Sequence, residues 1–411
     1  MARPARPHLA WLLDDAPGAW ARLATVAPRL TSRCTVLSTG EPPAGILPPE
    51  VRALRLPWPR GATRRPVVGG APVGLGRVAA ARLATFLADD APDLVVADGL
   101  PHAALFARQC GVSTVVVHRH GRRDDAAQQV LDRAFSGFLA PYPAVLEPAG
   151  TPVEVRRRTL HAGFLSRFGG RRLEPLEARA RSGLAADRPV VTVVAGRDGL
   201  GATPDELVRA AEATPDWTWL VLGRTRLDAS ETAGSGDLRR LGWHGDPWDA
   251  LASADVVVAG AGLCTVAEVA SAGRPLLVLD RPGRDEDPEL TGLLAEVGVA
   301  AALGTWPDAR EWPALLAAAG DRAARRLARL DDGRGAERAA DWLDAWTVSP
   351  PSDLTGAAGV GCDEAHADAR DGVRDVALDG VRDVALDGTR GQVGDVSSAS
   401  VRPPAGTVAD P

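Results

Sequence analysis

Short apolar runs alternate along this chain with stretches whose apolar positions recur every three or four residues, the pattern of strands and amphipathic helices in turn. Leu9–Leu13, Cys34–Ser38, Leu94–Ala97 and Thr114–Val117 read as strands, continuous enough in apolar character to be buried on both faces. Helices are predicted over Ala19–Leu30, Val78–Asp89 and Pro101–Cys110, whereas Val51–Gly76, rich in Pro, Arg and Gly, reads as a loop. Beyond a polar, partly helical stretch at Arg171–Arg188, a second alternating run begins with strands Val190–Val194 and Trp219–Leu222. It continues through a strand–turn–helix–strand unit over Asp255–Leu279 and helices at Trp312–Ala319 and Asp321–Arg329. Glu337–Trp346 is a last helical stretch, able to return and pack on the first domain. The predicted class is α/β, with two doubly wound, Rossmann-like domains facing across a cleft, at 1–165 and 166–348.

Residues 349–411 differ in kind. Asp371–Leu378 is repeated without change at Asp379–Leu386, and a third copy decays. Calcium-binding β-rolls need a different glycine-rich nonapeptide and more copies, so a low-complexity disordered tail is the expectation. The whole net charge of −6 resides there, as eleven acids against five arginines, and the two domains are close to neutral. That excludes the basic excess of a nucleic-acid binder. Positive side-chain charge is carried by arginine, since lysine is absent altogether. Cys34, Cys110, Cys264 and Cys362 are scattered without metal-ligand spacing, which suits a reduced, cytoplasmic setting. No apolar run approaches a membrane span, and the N-terminus lacks the apolar core of a signal peptide.

Candidate chemistry concentrates in the Asp255–Leu279 unit. Gly260 and Gly262 follow the apolar run Val256–Val258 and lead into a helix that starts near Leu263 and stops near Gly273. A glycine turn feeding a helix N-terminus seats phosphate, because unpaired N–H groups and the helix dipole face the anion. Glu268, a turn further on, is placed to accept hydrogen bonds from a ribose. The same residues also fit a capping box with Thr265 as N-cap and Glu268 at the third helical position. Spacing leaves both readings open.

The run Gly262-Leu-Cys-Thr-Val-Ala-Glu-Val-Ala-Ser-Ala-Gly-Arg-Pro275, preceded by Asp255-Val-Val-Val258, resembles the donor-phosphate helix of the MurG-like GT-B glycosyltransferases, glycosyltransferase family 28. The resemblance extends weakly over Leu9–Trp346 and is specific in the second domain. It implies that Gly262, Leu263, Cys264 and Thr265 sit at the donor diphosphate and that Glu268 binds the ribose. The loop Leu241-Gly-Trp243-His244 would read the nucleobase edge through its backbone. Asp285 and Asp287 would hold donor-sugar hydroxyls, with Pro288 in place of a second family partner. Gly196, in Ala195-Gly-Arg-Asp-Gly-Leu-Gly201, matches the family's first donor-domain glycine loop, and Arg167 matches an arginine near the donor phosphate. No cofactor is implied, because the nucleotide sugar, most simply a UDP-sugar, is a substrate, and no metal is expected.

The first domain departs from the family. Where the family has a glycine-rich loop ending in Gly-His, this chain has Leu13-Asp-Asp-Ala-Pro-Gly-Ala19, and alanine cannot move a proton. An inverting transferase needs a base near the acceptor hydroxyl. Asp14 and Asp15 are the nearest replacements, with turn formation and helix capping as their alternative role. His120, in His118-Arg-His-Gly-Arg-Arg-Asp-Asp125, is a further candidate, and His102 another. Three functions remain open on these residues: an inverting, metal-independent glycosyltransferase; a non-catalytic relative that binds nucleotide sugar or a partner enzyme; and a nucleotide-sugar epimerase. The acceptor is unspecified, lipid-linked or small, and a lipid carrier would imply loose contact with the inner membrane face.

Overall fold

The computed structural model describes residues 6–57, 75–121, 126–197, 199–223, 237–284 and 286–349. In the first domain β1 (His8–Leu13), β2 (Arg33–Ser38), β3 (Arg52–Arg55), β4 (Leu94–Asp98), β5 (Ser113–Val117), β6 (Gly137–Ala140) and β7 (Thr159–His161) form one parallel sheet. Its order is β3-β2-β1-β4-β5-β6-β7. Helices α1 (Pro17–Val26), α2 (Arg77–Asp89), α3 (Pro101–Gln109), α4 (Ala126–Ala134) and α5 (Val153–Arg156) connect the strands. The second domain opens with α6 (Pro175–Arg181). Its parallel sheet has β8 (Val190–Val194), β9 (Thr218–Leu222), β10 (Asp237–Gly242), β11 (Val256–Gly260), β12 (Leu276–Leu279) and β13 (Ala301–Gly304), in the order β10-β9-β8-β11-β12-β13. Its helices are α7 (Pro204–Glu212), α8 (Trp248–Ser253), α9 (Leu263–Ala272), α10 (Asp287–Glu296), α11 (Trp312–Ala318) and α12 (Asp321–Arg329); α13 (Gly335–Val348) closes the described chain.

In both sheets the strand order reverses beside the first strand, between β1 and β4 and between β8 and β11. Ligands of open α/β sheets bind beyond the strand C-termini at such a switch point. Those positions are held by Asp14 and Asp98 in one sheet and by Ala195 and Gly260 in the other. The central strands are buried throughout, as β1, β4 and β11 show, because helices cover both faces.

Several local differences from the expectation have simple causes. The first helix starts at Pro17 rather than Ala19, since proline at the first helical turn gives up an N–H that has no partner there anyway. It ends at Val26, and Ala27–Arg29 tightens into a 3-10 turn. The stretch expected as loop contains β3, a short polar edge strand, and its residues 58–74 lie outside the described set, as does the repeat-bearing segment 350–411.

Helix α13 does return to the first domain. Ala336, Ala339, Ala340, Leu343 and Trp346 join the apolar core that contains Trp11, Trp20 and Leu23. Gly137 is needed beneath it, because a Cβ there would come within 2.9 Å of the Trp346 ring. The Asp344 carboxylate accepts from the Thr31 N–H and hydroxyl at 2.6 and 2.7 Å and from the Ser32 N–H and hydroxyl at 3.0 and 2.5 Å. Burial pushes the Asp344 carboxyl up, but these hydrogen bonds outweigh it and hold the group below its ordinary value.

Candidate functional site

The glycine turn expected at the donor diphosphate lies between β11, ending at Gly260, and α9, starting at Leu263. Gly262 is the N-cap, with extended backbone and no side-chain cap, and the Val266 N–H closes the first helical bond on its carbonyl at 2.9 Å. The N–H groups of Leu263, Cys264 and Thr265 precede that bond, so helix geometry leaves them without intrahelical acceptors. Gly273, left-handed at φ 59°, ends the helix as expected of a C-cap glycine.

This start rules out the capping-box alternative. Thr265 lies inside α9 and caps nothing, and Glu268 is a turn deeper. Glu268 instead accepts from Arg167 Nε at 2.7 Å, while Arg167 Nη1 donates to the Gly245 carbonyl at 2.6 Å. One guanidinium thus ties the carboxylate of α9 to the loop after β10. Burial raises the Glu268 carboxyl above its ordinary value, and Arg167 opposes the shift without cancelling it. Of the two Glu268 carboxylate oxygens, only Oε1 accepts a hydrogen bond from a described residue, that from Arg167. Arg167, placed by sequence near the phosphate, is therefore occupied one turn away, on the carboxylate expected to read the ribose.

The loop itself is open. Leu241 and Gly242 end β10, Trp243 is 59% exposed, and His244 is exposed with Nδ1–H donating to the Asp246 carbonyl at 2.7 Å. Asp246 also pairs with Arg171 at 2.8 Å, and the Arg171 guanidinium stacks 5.1 Å from the Trp248 ring. The loop is thus pinned by two arginines while its Trp243–His244 edge faces solvent.

Asp287 is not displayed to a sugar. It is fully buried at the start of α10, and its carboxylate accepts from Arg281 Nε and Nη2, each at 2.6 Å, and from the Arg281 N–H at 2.9 Å. Its oxygens are thereby turned onto Arg281, which corrects the expectation of direct hydroxyl contact. Asp285 lies outside the described residues. The Arg281 stem lies on Gly260, where a Cβ would meet Cγ and Cδ at 2.5 Å, and its Nη1 approaches Gly262. Gly196 turns at φ 66° and packs on Gly223, itself left-handed at φ 102°, so closely that a side chain at Gly223 would strike the Gly196 backbone. The adjacent Arg197 donates from Nη1 to the Asp15 carbonyl at 3.2 Å, reaching from one domain to the other.

On the first-domain side, Ala19 is fully buried in the apolar core, so the place matched to the family histidine points away from the cleft. Gly18 is the cleft-facing position: its carbonyl accepts from Cys264 Sγ at 3.4 Å, and a Cβ on it would sit 3.3 Å from both Cys264 Sγ and Arg22 Nη1. Behind it, Arg22 Nε and Nη2 grip Asp98 at 2.7 and 2.8 Å, and both residues are buried. Burial would favour the neutral acid, yet Arg22 and Arg119 hold Asp98 below its ordinary value. Asp14 is buried on the rim of this cluster. It accepts from the Ala16 N–H at 3.0 Å, as the turn-forming alternative predicts, and also stands 3.8 Å from Arg119 Nη2. Asp15 packs its carboxylate against Gly40.

His120 is buried, with Nε2–H donating to the Leu146 carbonyl at 2.7 Å and its ring 4.3 Å from Tyr142. Burial lowers its pKa, which keeps the imidazole neutral and leaves Nδ1 without a partner among the described residues. The neighbouring Gly121 N–H donates to Glu289 Oε2 on α10 at 2.7 Å, so this loop meets the second domain. His102 sits half-buried in the first turn of α3. Arg122–Asp125 lie outside the described residues.

Sequence reasoning missed a second buried cluster. Glu147 accepts from His118 Nε2 at 3.0 Å, His161 Nε2 at 2.8 Å and the Tyr142 hydroxyl at 2.9 Å. Burial pushes Glu147 up, but the bonds from His118 and His161 prevail and hold it far below the carboxylate range. His161 lies in β7 while His118, Tyr142 and Glu147 lie in the loops after β5 and β6, and no local spacing joins them. The nearest signal was that His118 directly follows the apolar run of β5.

No family model matches the chain. A UDP-N-acetylglucosamine–N-acetylmuramyl-(pentapeptide) pyrophosphoryl-undecaprenol N-acetylglucosamine transferase of Halorhodospira halophila is 29% identical over 287 residues, which cover 66% of this chain and 76% of that protein. Among solved structures, the calicheamicin glycosyltransferase CalG4 matches with TM-score 0.60 at 18% identity, over 84% of this chain and 99% of that one. MurG of Acinetobacter baumannii matches with TM-score 0.55 at 15% identity, over 82% and 99%. Two parallel sheets with interleaved helices and these neighbours define the GT-B glycosyltransferase fold. Within that fold the chain is similar in sequence to a MurG-like glycosyltransferase of the family 28 type, and its likeness to such a transferase marks it as a glycosyltransferase.

Proposed function

We propose that the protein transfers a sugar from a nucleoside-diphosphate donor, a UDP-sugar, to an acceptor hydroxyl with inversion and without a metal. The observation that carries this reading is the uncapped N-terminus of α9 on the Gly260–Gly262 turn, with Glu268 one turn on and joined through Arg167 to the Gly242–Asp246 loop. Diphosphate, ribose and base would then lie along one line of chain. The N–H groups of α9 oppose the charge that develops on the leaving diphosphate, the task a divalent cation performs elsewhere. Asp14 and Asp15, at the C-terminus of β1, are the carboxylates nearest in sequence to α1, which meets α9 through Gly18 and Cys264. One of them would take the acceptor proton, with His120 as a further candidate.

The relative's name gives a lipid-linked acceptor. For this chain a lipid-linked or small-molecule acceptor is proposed, reached from the cytoplasm and, for a lipid, at the inner membrane face. No helix among the described residues is long and apolar enough to cross a membrane.

A second reading, binding without transfer, is favoured by one observation: the family histidine's place is a core alanine. A melting screen against UDP, GDP, dTDP and their sugars, followed by hydrolysis and transfer assays with and without EDTA, separates the readings. Stabilisation by UDP with EDTA-resistant turnover supports the transferase. Stabilisation without turnover supports the binding protein, and no stabilisation by any nucleotide refutes both. Release of an epimerised sugar would indicate the epimerase.

A further inference from the structure

We propose that Glu147 is a positioning residue for His120: it fixes the loop whose Leu146 carbonyl holds one imidazole nitrogen, so that the other, Nδ1, takes the acceptor proton. The role rests on the transferase reading above and deepens it, choosing among the three candidate bases.

His118 directly follows β5 and His120 lies two residues on, at the C-terminal edge of the first sheet, where α/β proteins bind ligands. Both grip one loop, 141–147 after β6. His118 Nε2–H donates to the Glu147 carboxylate, which also takes His161 Nε2–H from the end of β7 and the Tyr142 hydroxyl from within the loop. His120 Nε2–H donates to the carbonyl of Leu146, the residue before Glu147, and the Tyr142 ring lies 4.3 Å from the imidazole. A carbonyl only accepts, so the proton on Nε2 is fixed. Nδ1 is then the one polar atom of this 6%-exposed residue's ring with no partner among the described residues. A buried acceptor left unpaired costs free energy that a donating hydroxyl would restore.

The same stretch stands against the second domain. The Gly121 N–H donates to Glu289 Oε2, and a Cβ on Gly121 would lie 3.6 Å from Glu286 Cβ, in the acidic turn before α10. The rival carboxylates are committed: Asp14 accepts from the Ala16 N–H and faces Arg119, and Asp15 packs against Gly40. In the step, the acceptor oxygen bonds to the anomeric carbon as the bond from that carbon to the diphosphate oxygen breaks. The bonding pair leaves with the diphosphate, and the acceptor's proton passes to Nδ1. Burial opposes the imidazolium so formed, as does His118, while the Leu146 carbonyl, Glu289 on α10 and Glu147 favour it.

Two measurements on the full-length protein test this. Nitrogen-15 NMR of the histidines, with the His120 signal assigned by its loss in H120Q, should show a single Nε2–H tautomer in wild type and a tautomer mixture in E147Q. Release of UDP from UDP-N-acetylglucosamine, with water as acceptor, should fall in kcat by about a hundred- to ten-thousandfold for H120Q and about ten- to a hundredfold for E147Q, with the donor KM unchanged. Wild type should lose rate as pH falls through a value below the ordinary 6.5 of histidine, because burial lowers the His120 pKa. E147Q removes a charge that favours the imidazolium, so its acid limb should move to lower pH. E147D, which keeps the charge on a shorter stem, should hold the limb while losing rate, and it serves in place of an E147Q that does not fold. An unchanged His120 tautomer in folded E147Q, or a limb that E147Q leaves in place, would overturn the positioning role. A wild-type rate in H120Q would overturn the base and leave the transferase reading standing. Wild type that binds UDP in calorimetry but releases none from the donor would overturn the base in favour of binding without transfer. Wild type that does neither would refute the nucleotide reading, and the tautomer comparison would still decide the link from Glu147 to His120.

Discussion

Replacing Glu268 by Gln tests the donor site at the atom where its two original readings diverge. Glutamine keeps the shape and an acceptor for Arg167, but removes the charge. The Arg167–Glu268 pair is 34% and 12% exposed at its two ends, so solvent screens it and its loss should cost about 1 kcal/mol of stability or less. The effect on ligand is larger. Ribose hydroxyls donating to an ionised carboxylate contribute about 1.5–3 kcal/mol, which is about ten- to a hundredfold in Kd. UDP affinity should fall by that factor in E268Q, and affinity for 2′,3′-dideoxy-UDP should hardly change. Because burial raises the Glu268 carboxyl, wild-type UDP affinity should also decline on acidification at a pH above the ordinary value of 4.5, and E268Q should be flat there. Equal loss for UDP and its dideoxy analogue in calorimetry would refute the ribose role.

Asp98→Asn should leave Arg22 buried and uncompensated at a cost of about 3–5 kcal/mol, read as a lower midpoint in urea, and the apolar pair R22M/D98L should recover much of it. Ala19→His should not create a catalytic base. It should overpack the core by about 1–3 kcal/mol, lowering the melting temperature with no gain in transfer. Asp344, held below its ordinary value of 3.8, contributes stability that is complete above that value and lost as pH falls through the lower folded-state value. Wild type should therefore lose more stability than D344N on acid titration followed by tryptophan fluorescence.

The parts of the fold legible from sequence were those where burial and period agree. β1, β4, β8 and β11 are central and apolar on both faces, and their runs stood out. β3, β7, β10 and β13 are edge strands; β10 reads Asp-Leu-Arg-Arg-Leu-Gly, which carries no buried-strand signal. In the site, Gly260, Gly262 and Glu268 are local to one strand–turn–helix unit and could be read together. Arg22 with Asp98 spans 76 residues, and Glu147 with His118 spans 29. Such pairs are made by the sheet order and leave no trace in spacing. Asp287 was legible as an acid near the site, but its partner was not, because only the chain's turn at Arg281 folds the arginine back onto it.

Helix α13 has a mechanical consequence. The chain passes from the first domain to the second between β7 and α6, and α13 brings it back. Two tethers side by side resist sliding and twisting far more than one. A fragment ending at residue 165 would lack Leu343 and Trp346 from its core and would expose the apolar bed they cover. The two domains are therefore separable in architecture, but the first cannot be cut out of the chain as one continuous piece.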